Sequence, residues 1–391
     1  MLTHSHYEED SRVRREAESL VERGRAVDVY ALRREGKPAE ELLDGVRVRR
    51  LGVERHQGAG IGTYLREYLS FLGRAGWSMT RAHRRRHYAL VHVHTLPDFL
   101  AFGALPVRLA GVPILLDLHE AMPEFFRMRF PGSASPVANR LLLVQERASI
   151  RLASAVVTVN QALADRLVGL GIPSSKVSVV LNSPSLHRFD PGAQPERPFM
   201  ADGVLRLVYA GALTPVYELD VVLQAVGELR TRRPELPVEL EIYGQGDAEA
   251  GLRTLVERLE LDDSVRFHGR VPIEAVPAAI AAADIGLAPT RSNRFTEMSL
   301  STKLFEYGAM DRPIVASALP LVERTFPIGA VATYRPGDPA DLAAAILRLV
   351  DDPAGRAAGV ALARARIGEL AWDHEADRLM DLVDRLAGDC A

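Results

Sequence analysis

Short apolar runs alternate along this chain with longer stretches in which hydrophobic residues recur every three or four positions. The runs read as buried strands and the longer stretches as amphipathic helices. Met1 to Thr3 reads as the end of a strand, and Ala26–Leu32 (AVDVYAL), Val46–Leu51, Tyr88–His94 (YALVHVH), Pro113–Leu118 (PILLDL), Ala155–Val159 and Val177–Leu181 as further strands. Between them, Ser11–Arg23 carries Val13, Ala17, Leu20 and Val21 at helical spacing before Gly24 stops it. Thr63–Gly73, Phe99–Ala110, Pro136–Leu152 and Ala162–Leu170 read as helices in the same way. Strands and helices alternating at this spacing predict a parallel, doubly wound α/β sheet.

The pattern breaks between Asn182 and Asp202, where NSPSLHRFDPGAQPERPFMAD carries four prolines and no periodicity. This predicts a linker. A second alternation follows, with strands at Leu205–Tyr209, Val238–Tyr243, Val265–His268 and Ile285–Ala288 and helices at Asp220–Arg230, Ala248–Leu259 and Ile273–Ala283. A helix from Lys303 to about Ala309, a strand at Pro313–Ser317 and helices at Pro339–Val350, Pro353–Leu370 and Asp373–Leu386 complete it. The expected organisation is an N-terminal Rossmann-like domain over 1–190, a second over 191–371, and a closing helix over 372–391 that packs back towards the first. Two such halves with a cleft between them place a ligand at the carboxyl ends of their strands.

Composition narrows the classes. With 391 residues, 47% hydrophobic and 25% charged, the chain is long enough for two cores and ordinary for a globular protein. A net charge of −3 gives no global field for nucleic acid. Cys390 is the sole cysteine, so neither a disulfide framework nor a Cys-based metal site forms within one chain. With no signal peptide and no long apolar run, the expected location is cytoplasmic. Of the 48 basic residues three are lysines, Lys37, Lys176 and Lys303, and the rest arginines.

Lys303 falls in TEMSLSTKLFEYGAMDRPIVAS, Thr296 to Ser317, where a Ser/Thr-rich loop runs into a helix. Ser299, Leu300, Ser301 and Thr302 lie at the helix start, where unpaired amides and the positive end of the dipole favour an anion. Lys303 adds a full charge, and Glu306 lies one turn on along the same face. A ligand with phosphate for the lysine and hydroxyls for the glutamate is a nucleotide sugar. In isolation the same residues describe a capped helix with a surface Lys–Glu pair.

Taken together, LRLVYAGALTPVYELDVVLQAV, LEIYGQGD, VRFHGRVP, AAADIGLAPT and STKLFEYGAMDRPIVAS resemble, in order and spacing, the GT-B-fold glycosyltransferases of family 4. SRVRREAESL, LVHVHTLPDFL, LDLHEAMPEF and VVLNSPSLHRFDP extend the resemblance over nearly the whole chain. It implies a retaining, nucleotide-sugar-dependent enzyme. Glu306 matches the second glutamate of the family's E-x7-E motif, which implies a ribose-hydroxyl acceptor; Met298 stands at the first, with Glu297 one position away, and these are the candidate sugar contacts. Where the family has a G-R-L-x-x-x-K-G stretch for the diphosphate, Gly211 and Leu213 are kept, but Ala212 and Tyr217 replace both cations. Lys303 and the helix start are then the nearest substitutes in sequence. Arg270 and Val271 match positions whose main chain meets the nucleotide base. His119, directly after PILLDL, matches a histidine beside the donor sugar and, with Lys303, is the candidate catalytic group.

His94, Glu120 and Glu124 are candidates for the acceptor side. HQGAGIG, residues 56–62, lacks the spacing of a dinucleotide fingerprint and reads as an acceptor-side loop. No D-x-D triplet occurs, so no metal and no cofactor are expected. Arg81–His87 (RAHRRRH), after the apolar face of Leu65, Tyr68, Leu69, Leu72 and Trp77, is a candidate peripheral membrane contact. The expected function is a metal-independent retaining hexosyltransferase acting on a nucleoside diphosphate sugar and a separate acceptor. The rivals are a sugar-nucleotide epimerase of the same fold and a non-catalytic nucleotide-sugar-binding auxiliary protein.

Overall fold

The computed structural model describes residues 1–54, 60–130, 132 and 135–388. HQGAGIG therefore falls partly outside the described residues. The chain forms two compact units, one of Met1–Asn182 with Asp373–Ala391, the other of Ser183–Trp372.

The first unit contains strands β1 (Asp28–Leu32), β2 (Glu40–Leu43), β3 (Val46–Leu51), β4 (Val91–His94), β5 (Ile114–Leu118), β6 (Ala155–Thr158) and β7 (Val177–Val179). They hydrogen-bond in the orders β1-β3-β2 and β4-β5-β6-β7. Leu2 bridges the two groups, pairing in parallel with both Tyr30 and Val93. Every residue of β4, β5 and β6 is buried, as in parallel sheets covered on both faces. The helices are α1 (Ser11–Glu22), α2 (Ile61–Arg86), α3 (Leu105–Leu109), α4 (Met122–Arg129), α5 (Pro136–Leu152) and α6 (Gln161–Gly169). Val93, Leu116 and Val156 from the sheet share one core with Phe71 and Met79 of α2 and Ile150 of α5.

Two expectations are corrected here. The helix predicted to stop at Gly73 runs on through Gly76 to Arg86, and His87 ends it in the left-handed conformation with its amide on the His83 carbonyl. Arg81–Arg86 are therefore the last turns of α2 rather than a tail after it. β2, antiparallel to β3, was not predicted. Its glutamates and leucines are exposed or half-buried and pair with the arginine-rich β3, so it carries no apolar signature.

In the second unit the strands are β8 (Leu205–Ala210), β9 (Val238–Tyr243), β10 (Val265–Gly269), β11 (Ile285–Ala288), β12 (Ile314–Ser317) and β13 (Ala332–Tyr334). They form one parallel sheet in the order β10-β9-β8-β11-β12-β13. The order reverses between β8 and β11, and a crevice opens at such a switch beyond the carboxyl ends of the strands. The helices are α7 (Leu219–Arg232), α8 (Glu249–Arg258), α9 (Val276–Ala281), α10 (Thr302–Ala309), α11 (Pro320–Thr325), α12 (Pro339–Asp351) and α13 (Pro353–Glu369). Leu207 and Leu240 of the sheet pack with Val222 and Ile346 from α7 and α12, while Val208, Ala288 and Ile314 pack with Leu304 and Ile367 from α10 and α13.

Asp284, fully buried just before β11, accepts hydrogen bonds from the amides of Met200 (2.7 Å) and Arg206 (2.8 Å) and pairs with Arg197. The incoming segment is thereby pinned to the sheet. The last helix, α14 (Trp372–Gly388), lies mostly in the first unit, where Glu375 accepts from the Leu181 amide at 2.7 Å. No helix of the described residues is long and apolar enough to cross a membrane.

Candidate functional site

Each unit gathers candidate residues at the carboxyl end of its own sheet. In the second unit the gathering begins with three backbone turns. The Gly211 amide donates to the Tyr243 carbonyl (2.8 Å), the Gly244 amide to Gly269 (2.7 Å) and the Leu213 amide to Gln245 (3.1 Å). The turns after β8, β9 and β10 are thus stacked backbone on backbone. Glycine is required for this: a Cβ on Gly244 would stand 1.8 Å from the Gly211 oxygen, and one on Gly246 would stand 2.2 Å from the Leu213 oxygen.

Lys303 closes on the same place. Its residue is 5% exposed, and a Cβ on Gly211 would stand 2.7 Å from its Nζ. The ammonium lies 3.9 Å from the centroid of the Tyr217 ring and 5.0 Å from that of Tyr209. Tyr209 in turn donates its hydroxyl to the Ala212 carbonyl at 2.7 Å. The residue that replaces one expected cation therefore provides an aromatic face for the cation that remains. Desolvated cation–π contacts are worth about 2 kcal/mol or more. The alternative of a surface Lys–Glu pair does not fit: Lys303 is buried, while Glu306 is half-buried one turn on.

The α10 start leaves a buried polar group unengaged. Ser301 is the N-cap residue in extended backbone, its hydroxyl caps nothing, and its Oγ is buried without a hydrogen-bond partner. The Leu304 amide donates to the Ser301 carbonyl at 3.2 Å, while amides earlier in the first turn of a helix have no acceptor within it. Ser299 is an exception among the predicted contacts, since its amide already donates to the Thr296 carbonyl at 3.1 Å. Thr296–Met298 form a single 3-10 turn, with exposed Glu297 3.3 Å from the Ser292 hydroxyl and Met298 half-buried. Arg270, exposed, and Val271, half-buried, follow β10, beside the stacked rings of Tyr243 and His268 (4.3 Å).

A buried relay unseen in the sequence braces this end of the sheet. Glu218, next to Tyr217, accepts from the Gly337 amide (2.9 Å) and the Tyr334 hydroxyl (3.2 Å). Ser317 donates to Tyr334 (3.0 Å) and accepts from the Thr290 amide (2.7 Å). It ties the loops after β8, β11 and β13 together.

In the first unit, His119 follows β5 and its amide donates to the Thr95 hydroxyl at 3.1 Å. His94, at the end of β4, is wholly buried and lies behind His119, with Nδ1 3.3 Å from His119 Nε2. It reaches no solvent, so the acceptor-side contact expected of His94 is corrected: a fully buried ring offers no surface to a substrate. Around them Arg12, Glu16, His92 and Asp117 are all 3% exposed or less. The Arg12 guanidinium grips Asp117 through Nε (2.8 Å) and Nη2 (3.0 Å) and lies 3.0 Å from Glu16. Burial pushes Glu16 up and His94 down, the latter to about 4. Ligating atoms of Glu16, His92, His94 and Asp117 come within 4.8 Å of one another, yet Arg12 already lies between both carboxylates. The Arg12 guanidinium already supplies positive charge to both carboxylates.

Glu120 is half-buried beside His119, and desolvation pushes its carboxyl up to about 7. Glu124, in the first turn of α4, is committed to Arg166 through two contacts of 3.2 and 2.8 Å, and Arg166 also holds Glu146. The sequence held one signal of this buried network, a lone aspartate within the apolar run PILLDL. The charges of α1 gave none, because they read as a solvated face.

Two family models match the chain, one described as a glycosyl transferase 4-like domain over residues 10–183 and one as glycosyl transferases group 1 over 205–352. Curated relatives include D-inositol 3-phosphate glycosyltransferases of Kineococcus radiotolerans (28% identical, over 96% of this chain and 89% of the relative) and Thermomonospora curvata (28%, 94% and 88%). Among solved structures, a sucrose-phosphate synthase from Thermosynechococcus elongatus matches with TM-score 0.77 and 20% identity over 96% of this chain and 93% of that one. Anabaena HepE in complex with UDP-glucose matches with TM-score 0.73 and 15% identity over 98% of both chains. The two parallel sheets share the GT-B fold of these structures. With both halves matched in order, the chain belongs to the family 4 glycosyltransferases.

Proposed function

We propose that this glycosyltransferase moves a hexose from a uridine diphosphate sugar to a hydroxyl of a polyol phosphate, with retention of anomeric configuration and without a metal. The observation that carries the reading is Lys303, a buried ammonium held by aromatic faces at the α10 start, beside the switch of the sheet. A cation so placed is matched to the diphosphate that departs when the sugar bond breaks, and the first-turn amides add dipolar stabilisation at no cost in reorganisation. Glu306 accepts from ribose hydroxyls. The main chain of Arg270 and Val271 meets the base, and His119, by the family resemblance, meets the sugar. The uridine donor is supported by the UDP-glucose complex of HepE, and the phosphorylated polyol by the names of the curated relatives.

A thermal-shift screen against UDP, GDP, dTDP and ADP and their sugars tests the donor, since a ligand that binds only the folded state raises its melting temperature by mass action. A shift with uridine nucleotides, followed by donor consumption that requires an inositol phosphate and survives chelator, is the expected result. No shift with any nucleotide would sink the site; consumption without acceptor would mark an epimerase. Loss of activity on chelation would overturn the metal-free reading, and an inverted anomeric signal in the product NMR spectrum would overturn retention.

A further inference from the structure

Three polar atoms form a nearly equilateral triangle beneath His119. Asp117 Oδ2 is 3.3 Å from His94 Nδ1 and 3.4 Å from His119 Nε2, and the two nitrogens are 3.3 Å apart. Asp117 and His94 are wholly buried, whereas the His119 side chain is 20% exposed. Behind the triangle Arg12 clamps both Asp117 oxygens and donates through Nη1 to the Val180 carbonyl at 3.2 Å. The carboxylate therefore has a fixed direction; the backbone of His119 is anchored by its amide on the Thr95 hydroxyl, and its ring lies against Asp117 through Nε2.

We infer that Asp117, clamped by Arg12, is a positioning residue for transfer: it holds His119 with Nε2 turned inward and leaves Nδ1 as the nitrogen that meets a substrate oxygen. The inference rests on the reading of His119 as a sugar contact. A carboxylate beside one ring nitrogen fixes the tautomer and the direction of the other. Charge supports the geometry. Burial would raise Asp117, but Arg12 and the neighbouring histidine hold it well below the usual carboxylate range. Burial would likewise lower His119, but Asp117 outweighs it and raises the imidazole. His94, lowered by burial, stays neutral and has one proton to give. His119 is thus the ring of the pair that takes up a proton, and its outward nitrogen suits a hydroxyl or phosphoryl oxygen as ligand.

The test is a double-mutant cycle on the full chain with UDP-glucose and an inositol phosphate. Asp117→Asn should lower kcat by about 10- to 100-fold through misorientation alone, with the donor KM changed less than about 3-fold, and it should cost nothing further in a His119→Ala background. If His119→Ala lowers kcat and Asp117→Asn still takes its full factor on top, the positioning role is overturned while the sugar contact stands. If His119→Ala leaves kcat unchanged, the sugar contact itself fails. Should Asp117→Asn alone not fold, the pair Arg12→Gln/Asp117→Asn removes both charges together. In the unmutated protein, nitrogen NMR of labelled histidine reads the same point directly: a proton on Nε2 of His119 is expected, and an unprotonated Nε2 overturns the inference.

Discussion

The Gly244 Cα faces the Gly211 carbonyl so closely that a single added methyl would stand 1.8 Å from the oxygen. Gly244→Ala should therefore force the turns after β8 and β9 apart, costing about 2–4 kcal/mol of stability and weakening nucleotide binding with it. Gly227→Ala, inside α7 with nothing near its Cβ position, is the control and should stabilise by up to about 1 kcal/mol. Denaturant midpoints for the two variants check both signs. Equal behaviour would remove the steric argument.

Tyr217 and Lys303 offer a second test. Tyr217→Phe keeps the ring face and should leave UDP affinity within about 3-fold, because the attraction resides in the π system. Tyr217→Ala should weaken UDP about 10-fold or more by freeing the ammonium from its platform. Calorimetric titration with UDP separates the two. A loss with Phe as large as with Ala would show that the hydroxyl, not the face, matters.

Lys303→Ala should cost about 10- to 100-fold in UDP affinity, the range of one charge-assisted contact, and far less for uridine. Glu306→Ala should abolish the melting shift for both. Equal loss of UDP and uridine in Lys303→Ala would detach the lysine from the diphosphate.

Acid should destabilise the first unit through its buried histidines. His94 titrates at about 4 when folded against an ordinary 6.5, so between those values the unfolded chain binds more protons. Its contribution is complete above pH 6.5 and is lost as pH falls towards 4, by up to about 3 kcal/mol. His92, also lowered by burial, acts in the same direction. Glu16, raised by burial, acts in the opposite one, its contribution being present at low pH and fading as pH rises. The observable is the difference between His94→Gln and the unmutated protein. Melting temperatures measured from pH 7 to 4 should fall less steeply for the variant, and parallel curves would count against a neutral buried His94.

The two alternations of strand and helix were legible because the central strands are short apolar runs, the outer ones such as VRVRRL and VELEIY alternate apolar with charged residues, and most helices keep an apolar stripe. The start of α10 was legible to within one residue for a related reason, since SLST before an apolar run is both a cap signal and a loop signal. What failed has physical causes. Gly73 and Gly76 looked like a stop, yet Gly76 lies inside α2 because its missing side chain lets the helix touch the Gly103 carbonyl. β13 is a three-residue edge strand, too short for any period. α4 and α11, short helices each with a proline in the first turn, were not predicted. The buried charges of Arg12 and Glu16 were invisible because burial of a charge depends on a partner far away in sequence, here Asp117. The same distance in sequence hid Tyr334, whose hydroxyl braces Glu218.

Lysine is scarce in this chain, and one of its three copies lies over an aromatic ring at 3.9 Å. Reductive methylation with labelled formaldehyde would then yield a carbon NMR spectrum of very few amine signals. The ring current of Tyr217 would move the Lys303 resonance away from those of Lys37 and Lys176. The protein thus carries its own reporter of site occupancy, readable without any engineered label and sensitive to the approach of a phosphate.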